Sequence, residues 1–134
     1  MIQSCSDLSQ YSILVVDDVP LNVLLVEKML GRFNFRVRTA GNGLEAIREI
    51  TAEKPDLVLL DIMMPVMDGF EFLDAVGKSP DWADIKVVVL SALDTTQDIV
   101  HAYNLGAKDF ITKPIVLSKL LNTVAQQLRI SLTD

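Results

Sequence analysis

The sequence predicts an α/β fold, a three-layer, doubly wound arrangement with helices on both faces of a five-stranded parallel sheet. Three observations predict it. Five short apolar runs rich in β-branched residues alternate strictly with stretches of helical length. The runs lack period-two polarity, which is how strands covered on both faces read. The 134 residues, half of them hydrophobic and 22% charged, suffice for one domain with a core of its own.

The elements follow in order. Residues 1–10 are polar and serine-rich and read as a leader; residues 11–130 form the folded unit, and 131–134 a short tail. The strands are expected at 13–16, 35–37, 57–60, 86–90 and 110–112. The first helix, 21–30, is apolar around most of its circumference. Val23, Leu24, Leu25, Val26, Met29 and Leu30 cannot all face one sheet, so burial between the sheet and the last helix is expected. A docking surface for a partner, or for a second copy in a homodimer, is the alternative.

The second helix, 43–53, repeats apolar residues at Leu44, Ile47 and Ile50, with Asn42 as cap and Glu45 three residues on. Asp68 and Glu71 repeat that arrangement before a third helix reaching about Gly77, and both pairs resemble capping boxes. The fourth helix, 95–105, stops at Gly106, a left-handed cap position. The fifth, 116–129, carries one apolar stripe from Val116 and Leu117 through Leu120, Leu121 and Val124 to Leu128, as core packing requires.

The polar residues at the strand ends carry the functional argument. The first strand ends in Asp17 and Asp18, the third in Asp61, the fourth in Ser91, and the fifth just before Lys113 and Pro114. Open α/β sheets bind ligands outside the carboxyl ends of their strands. Each residue alone has an ordinary reading, as a cap, a turn or a solvated charge. Together they aim three acids, one hydroxyl and one ammonium at one edge. Three neighbouring carboxylates raise one another's pKa, and a divalent cation removes that conflict. Oxygen-only ligands suit Mg²⁺, which binds through few carboxylates plus a phosphate. A carboxylate beside Mg²⁺ can attack phosphorus and form an acyl phosphate.

Composition excludes other classes. The net charge of −6 repels phosphate backbones and anionic membranes, and no Lys/Arg cluster offsets it, so neither nucleic acid nor a membrane surface is an expected direct partner. No apolar run approaches the length of a membrane span, and no signal-peptide pattern opens the chain. Cys5 is the single cysteine and reads as an incidental thiol in a reducing compartment, so a cytoplasmic location is expected.

The strand-end residues fall in four stretches: Ile13-Leu-Val-Val-Asp-Asp18; Lys54-Pro-Asp-Leu-Val-Leu-Leu-Asp-Ile-Met-Met-Pro-Val-Met-Asp-Gly69; Val87-Val-Val-Leu-Ser-Ala92; and Gly106-Ala-Lys-Asp-Phe-Ile-Thr-Lys-Pro114. In that order and spacing they resemble the receiver domain of response regulators in bacterial two-component systems, over about residues 12–129. The resemblance implies a flavodoxin-like sheet of order 2-1-3-4-5. It implies that Asp61 takes a phosphoryl group from a sensor histidine kinase or a histidine phosphotransfer protein. Mg²⁺ is then held by Asp18 and Asp61, with Asp17 acting mainly through water and the backbone carbonyl of Met63 as a further ligand. Ser91, followed by Ala92, and Phe110 occupy the phosphate-binding and switch positions, Lys113 pairs with Asp61 or its phosphate, and the Lys113–Pro114 bond is expected to be cis.

The resemblance further implies a switch. The Ser91 hydroxyl moves toward the phosphoryl group, Phe110 turns inward, and the face made by the fourth helix, fifth strand and fifth helix changes shape for a downstream effector protein. Such a protein is not an enzyme on a separate metabolite; it catalyses only its own phosphorylation and dephosphorylation. The resemblance also implies that Met63 and Leu93 stand near the phosphoryl group; neither can orient an attacking water by hydrogen bonding, so slow loss of phosphate is expected.

Three other readings compete with it. A haloacid-dehalogenase-like Mg²⁺-dependent phosphatase needs a second acid two residues after the nucleophile, where Met63 stands. A flavin-binding module needs a phosphate-cradling loop, where Asp17-Asp18-Val19-Pro20 stands. A pseudo-receiver would act by binding alone. The chain is read as a stand-alone receiver or as one excised from a longer regulator or hybrid kinase. His101 reads as a surface residue, and Trp82 as a cover over an edge of the core.

Overall fold

Unbroken apolar runs demand cover on both faces, and the computed structural model, which describes residues 8–132, supplies it. Strands β1 (Ser12–Val16) and β3 (Leu57–Leu60) are buried at every position. They form the middle of a parallel sheet with β2 (Arg36–Ala40), β4 (Lys86–Ser91) and β5 (Asp109–Thr112), in the order β2-β1-β3-β4-β5. Chain order reverses direction at β1, which leaves a crevice beside the carboxyl ends of β1 and β3.

Alternate residues of each strand serve two cores. Leu14, Val16, Val58, Leu60, Val87 and Val89 face helices α2 (Gly43–Ala52), α3 (Gly69–Lys78) and α4 (Thr96–Asn104). Ile13, Val15, Leu57, Leu59, Val88 and Leu90 face α1 (Pro20–Leu30) and α5 (Leu117–Leu128). Phe72 of α3 is fully buried in the first core, a burial worth about 2–3 kcal/mol. Trp82 packs on the edge of the same core, as its position in the loop before β4 predicts.

The helix ends follow their caps. Asp68 accepts a hydrogen bond from the Glu71 amide and Glu71 accepts one from the Asp68 amide, a complete capping box. The box expected at α2 is incomplete: Asn42 accepts from the Glu45 amide, but the Glu45 carboxylate turns to the amide of Gly41. Gly106 ends α4 at φ 109°, a backbone region that only glycine enters freely. Arg38 of β2 donates to the carbonyls of Glu49 and Glu53 and so satisfies the end of α2.

The structure corrects three expectations. Strand β2 spans Arg36–Ala40, later than the apolar run around Phe35 indicated. Residues on an edge strand need not be apolar, and its arginines are occupied at the end of α2. Leu8–Gln10 form a 3-10 turn with Leu8 buried, so this part of the leader packs on the core. The rest of that leader, Cys5 included, lies outside the described residues.

The third correction concerns α1. Only Val26 and Leu30 are buried there; Leu21 is 72% exposed, and Leu24 and Leu25 are 48% and 47% exposed. At 100° per residue one stripe of this helix reaches the sheet, and among the described residues the opposite leucines are left largely open. No helix among the described residues is long and apolar enough to cross a membrane.

Candidate functional site

Sheet register brings the acids together. β1 and β3 pair from Ile13–Leu57 to Val16–Leu60, so the next residue of each strand, Asp17 and Asp61, meets its counterpart at the crevice. The Asp61 amide continues the ladder to the Val16 carbonyl, and the Asp17 amide to that of Ala40. Asp18 follows at the exposed start of the β1–α1 link. One carboxylate oxygen from each of Asp17, Asp18 and Asp61 lies within 4.8 Å of the others.

Asp17 and Asp61 are each only 7% exposed. Asp17 accepts a hydrogen bond of 2.9 Å from the Val19 amide, which fixes its orientation. Burial pushes the Asp61 carboxyl above the usual carboxylate range. The Lys113 ammonium opposes that shift, the Asp17 charge adds to it, and the amides of Met63 and Ile62 oppose it. A reluctant anion beside two further carboxylates is the electrostatic setting that a divalent cation relieves. The donors are all oxygen, which fits a hard cation such as Mg²⁺.

Lys113 enters from the far side. Its amide bonds the Ser91 carbonyl, and its Nζ lies 3.1 Å from Asp17 Oδ2 and 3.8 Å from Asp61 Oδ2. The resemblance implies pairing with Asp61 or its phosphate; the ammonium lies within ion-pair distance of both carboxylates, with Asp17 the nearer. The Lys113–Pro114 peptide is cis, as expected. Ser91 is fully buried, and its Oγ accepts from the Leu93 amide at 3.2 Å. Ala92 is exposed at the next position, and Phe110 is half-buried against the α2–α3–α4 core. Register sets Phe110 against Val89 and Thr112 against Ser91, so β5 links the site to its own outer face.

Three recesses adjoin the acids; one, beside α1 and the end of β2, has Asp17, Asp18, Pro20, Leu24 and Thr39 in its wall. A cleft of about 270 Å³ runs between α1 and the β5–α5 link, with Asp17, Asn22, Leu25, Asp61, Lys113 and Pro114 in its wall. On the other side Asp18, Met63 and Leu93 share a shallow groove with Phe70 and Asp68. Met63 is 60% exposed there.

Asp17, Asp61, Ser91 and Lys113, with Asp18, Met63, Ala92 and Pro114 on the links beside them, therefore lie at the carboxyl edge of the sheet, whereas Phe110 is the second residue of β5 and stands back from that edge. Sequence reasoning missed the strained loop that carries Met63. Val66 has φ 70°, and the Met67 amide bonds the Pro65 carbonyl at 2.8 Å, a γ-turn at a β-branched residue. It also missed the close seat of Gly69, where a Cβ would stand 2.6 Å from the Asp61 carbonyl oxygen.

This geometry matches known proteins. The family model described as response regulator receiver domain matches residues 13–125. The chain belongs to the response regulator receiver family. It is 43% identical over 103 residues to Response regulator PleD of Caulobacter vibrioides, covering 77% of this chain and 23% of PleD. It is 35% identical over 112 residues to Protein PilH of Pseudomonas aeruginosa, covering 84% of this chain and 93% of PilH. The chain spans between 23% and 49% of the length of the first curated relatives it matches. Among solved structures, the receiver domain of a signal transduction histidine kinase from Syntrophus aciditrophicus superposes with a TM-score of 0.82. That likeness is at 33% identity and covers 89% of this chain and 90% of the other. A receiver's five-stranded order 2-1-3-4-5 is the order observed here.

Proposed function

We propose that this receiver accepts a phosphoryl group on Asp61 from a phosphohistidine of a sensor kinase or phosphotransfer protein, and thereby switches the face built by α4, β5 and α5. The observation that carries the reading is the Asp17–Asp18–Asp61 cluster with Lys113 Nζ against it, at one sheet edge. Asp17, Asp18, Asp61 and the backbone carbonyl of Met63 would hold Mg²⁺. When bound, the ion neutralises charge on the carboxylates and on the transferring phosphoryl oxygens.

Asp61 attacks phosphorus through a carboxylate oxygen; the Oδ–P bond forms as the bond from phosphorus to the donor nitrogen breaks. Lys113 offers a positive point charge to the phosphoryl oxygens, and the Ser91 hydroxyl offers a hydrogen bond once it turns from the Leu93 amide. That turn opens space beside Phe110, which already lies half in the core. The consequence is a population shift on the α4–β5–α5 face, where a downstream effector docks.

The donor must press against the rim of the site, because Asp61 itself is almost wholly buried. Exposed Val19, Leu21 and Leu25 on one side and Met63 and Val66 on the other give that rim an apolar character. The reading also includes a cytoplasmic location and no catalysis beyond the receiver's own phosphorylation and dephosphorylation.

The test is direct. The protein is incubated with acetyl phosphate, with and without Mg²⁺, and its intact mass is measured. One added phosphoryl group, dependent on Mg²⁺ and lost in Asp61→Asn, is expected. An unchanged mass in every condition would reduce the protein to a binding module.

A further inference from the structure

We propose that Met63 is a modification site that times the phosphorylated state. Oxidation of its thioether to the sulfoxide speeds hydrolysis of the phosphoryl group on Asp61. The proposal rests on Asp61 being the phosphoryl acceptor.

Three observations lead to it. First, Met63 is the accessible methionine of this region: it is 60% exposed, whereas Met64 is 8% exposed and Met67 packs against the α2–α3–α4 core. Second, its side chain shares the groove at the mouth of the site with Asp18, whose carboxylate lies within 4.8 Å of that of Asp61. Third, the groove offers no uncommitted polar side chain. Asp68 is taken up as the cap of α3, Asp18 belongs to the metal cluster, and Met63, Met64, Ile62, Pro65, Phe70 and Leu93 are apolar.

Hydrolysis of an aspartyl phosphate needs a water aimed at phosphorus opposite the Asp61 oxygen. A thioether accepts hydrogen bonds weakly and cannot hold that water; a sulfoxide oxygen is a strong acceptor. The oxidant is a peroxide. One oxygen atom passes to sulfur, two electrons pass from sulfur to the O–O bond, and water leaves. In the oxidised protein the sulfoxide oxygen accepts one hydrogen of the attacking water. The new P–O bond forms as the bond to Asp61 breaks, giving inorganic phosphate and the free carboxylate.

The sulfoxide supplies orientation only. The expected gain is therefore about five-fold, well short of the 10²–10⁴ that a positioned acid or base contributes.

The full chain is treated with hydrogen peroxide, and oxidised methionines are located by peptide mass spectrometry. Treated and untreated samples are phosphorylated with acetyl phosphate and Mg²⁺ and freed of donor, and the decay of the phosphorylated mass is followed. Met63 is expected to take the first oxygen among residues 8–132, and the half-life to fall about five-fold. Methionine sulfoxide reductase should restore it. In Met63→Leu, treated and untreated samples should decay alike.

An unchanged half-life with Met63 fully oxidised overturns the proposal. So does an equal acceleration in Met63→Leu, or oxidation of Met64 or Met67 ahead of Met63. If untreated protein never gains a phosphoryl group, the functional reading itself has failed and this proposal falls with it; the oxidation map tells the two failures apart.

Discussion

Lys113 is tied more closely to Asp17 than to Asp61: its Nζ is 3.1 Å from an Asp17 oxygen and 3.8 Å from an Asp61 oxygen. The ammonium thus offsets only part of the negative charge of the buried pair. It also stands where it repels a divalent cation. Replacing it, as in Lys113→Met, should tighten Mg²⁺ binding by about three- to ten-fold, from the Coulomb interaction at several ångströms in a partly screened site. Titration calorimetry measures this; weaker binding in the variant would show that the lysine organises the carboxylates more than it competes with the ion.

Asp61→Asn should stabilise the fold at neutral pH. Burial, with the Asp17 charge added, raises the Asp61 pKa in the folded state against the opposing effect of Lys113. A raised carboxyl pKa means that the folded protein holds the proton more tightly than the unfolded chain. Its stability contribution is full below the unfolded value of about 4 and is lost as pH rises through the folded value. The amide carries no such penalty. Thermal melts in a chelator at pH 7 should show a gain of roughly 4 °C, corresponding to about 1 kcal/mol in a domain of this size. The gain should shrink toward pH 4, and added Mg²⁺ should raise the midpoint of the wild type more than that of the variant.

Gly69→Ala should be severely destabilising, by about 3 kcal/mol or more. The added methyl would meet the Asp61 carbonyl oxygen at 2.6 Å and the Ile62 Cα at 2.7 Å, both backbone atoms that cannot swing aside. Urea unfolding reads the loss. A variant as stable as the wild type would mean that α3 slides freely against the end of β3.

Val66→Gly should raise stability by about 1 kcal/mol, the relief of left-handed strain less the extra entropy of an unfolded glycine. The valine side chain is 76% exposed and loses little packing when removed. Chemical denaturation checks this, and a loss of stability would show that the exposed side chain packs usefully in the native loop.

The order of elements was readable because each strand is an uninterrupted apolar run and each helix has its own cap or stop. Asp17, Asp61, Ser91 and Lys113 were readable because each lies at a strand end, where chain position alone fixes the direction. The failures have a different character. Counting apolar residues in α1 cannot say whether a neighbour covers Leu21, Leu24 and Leu25, and among the described residues they stay largely open. Which carboxylate the Lys113 ammonium approaches is a matter of tenths of an ångström, set by several elements at once. The γ-turn at Val66 opposes the preference of its own residue, so local sequence argues against it.

The uncovered leucines of α1 give the molecule two opposed tendencies in solution. Eighteen acids against twelve bases make copies repel one another, over a range that shortens as salt is added. The apolar strip attracts at contact, and salt does not screen it. Ionic strength should therefore set how copies approach: repulsion is expected to dominate in dilute buffer, and the strip to count for more in concentrated salt. A sample transferred from one regime to the other should change its self-association without any change in fold, which light scattering across a salt series would check.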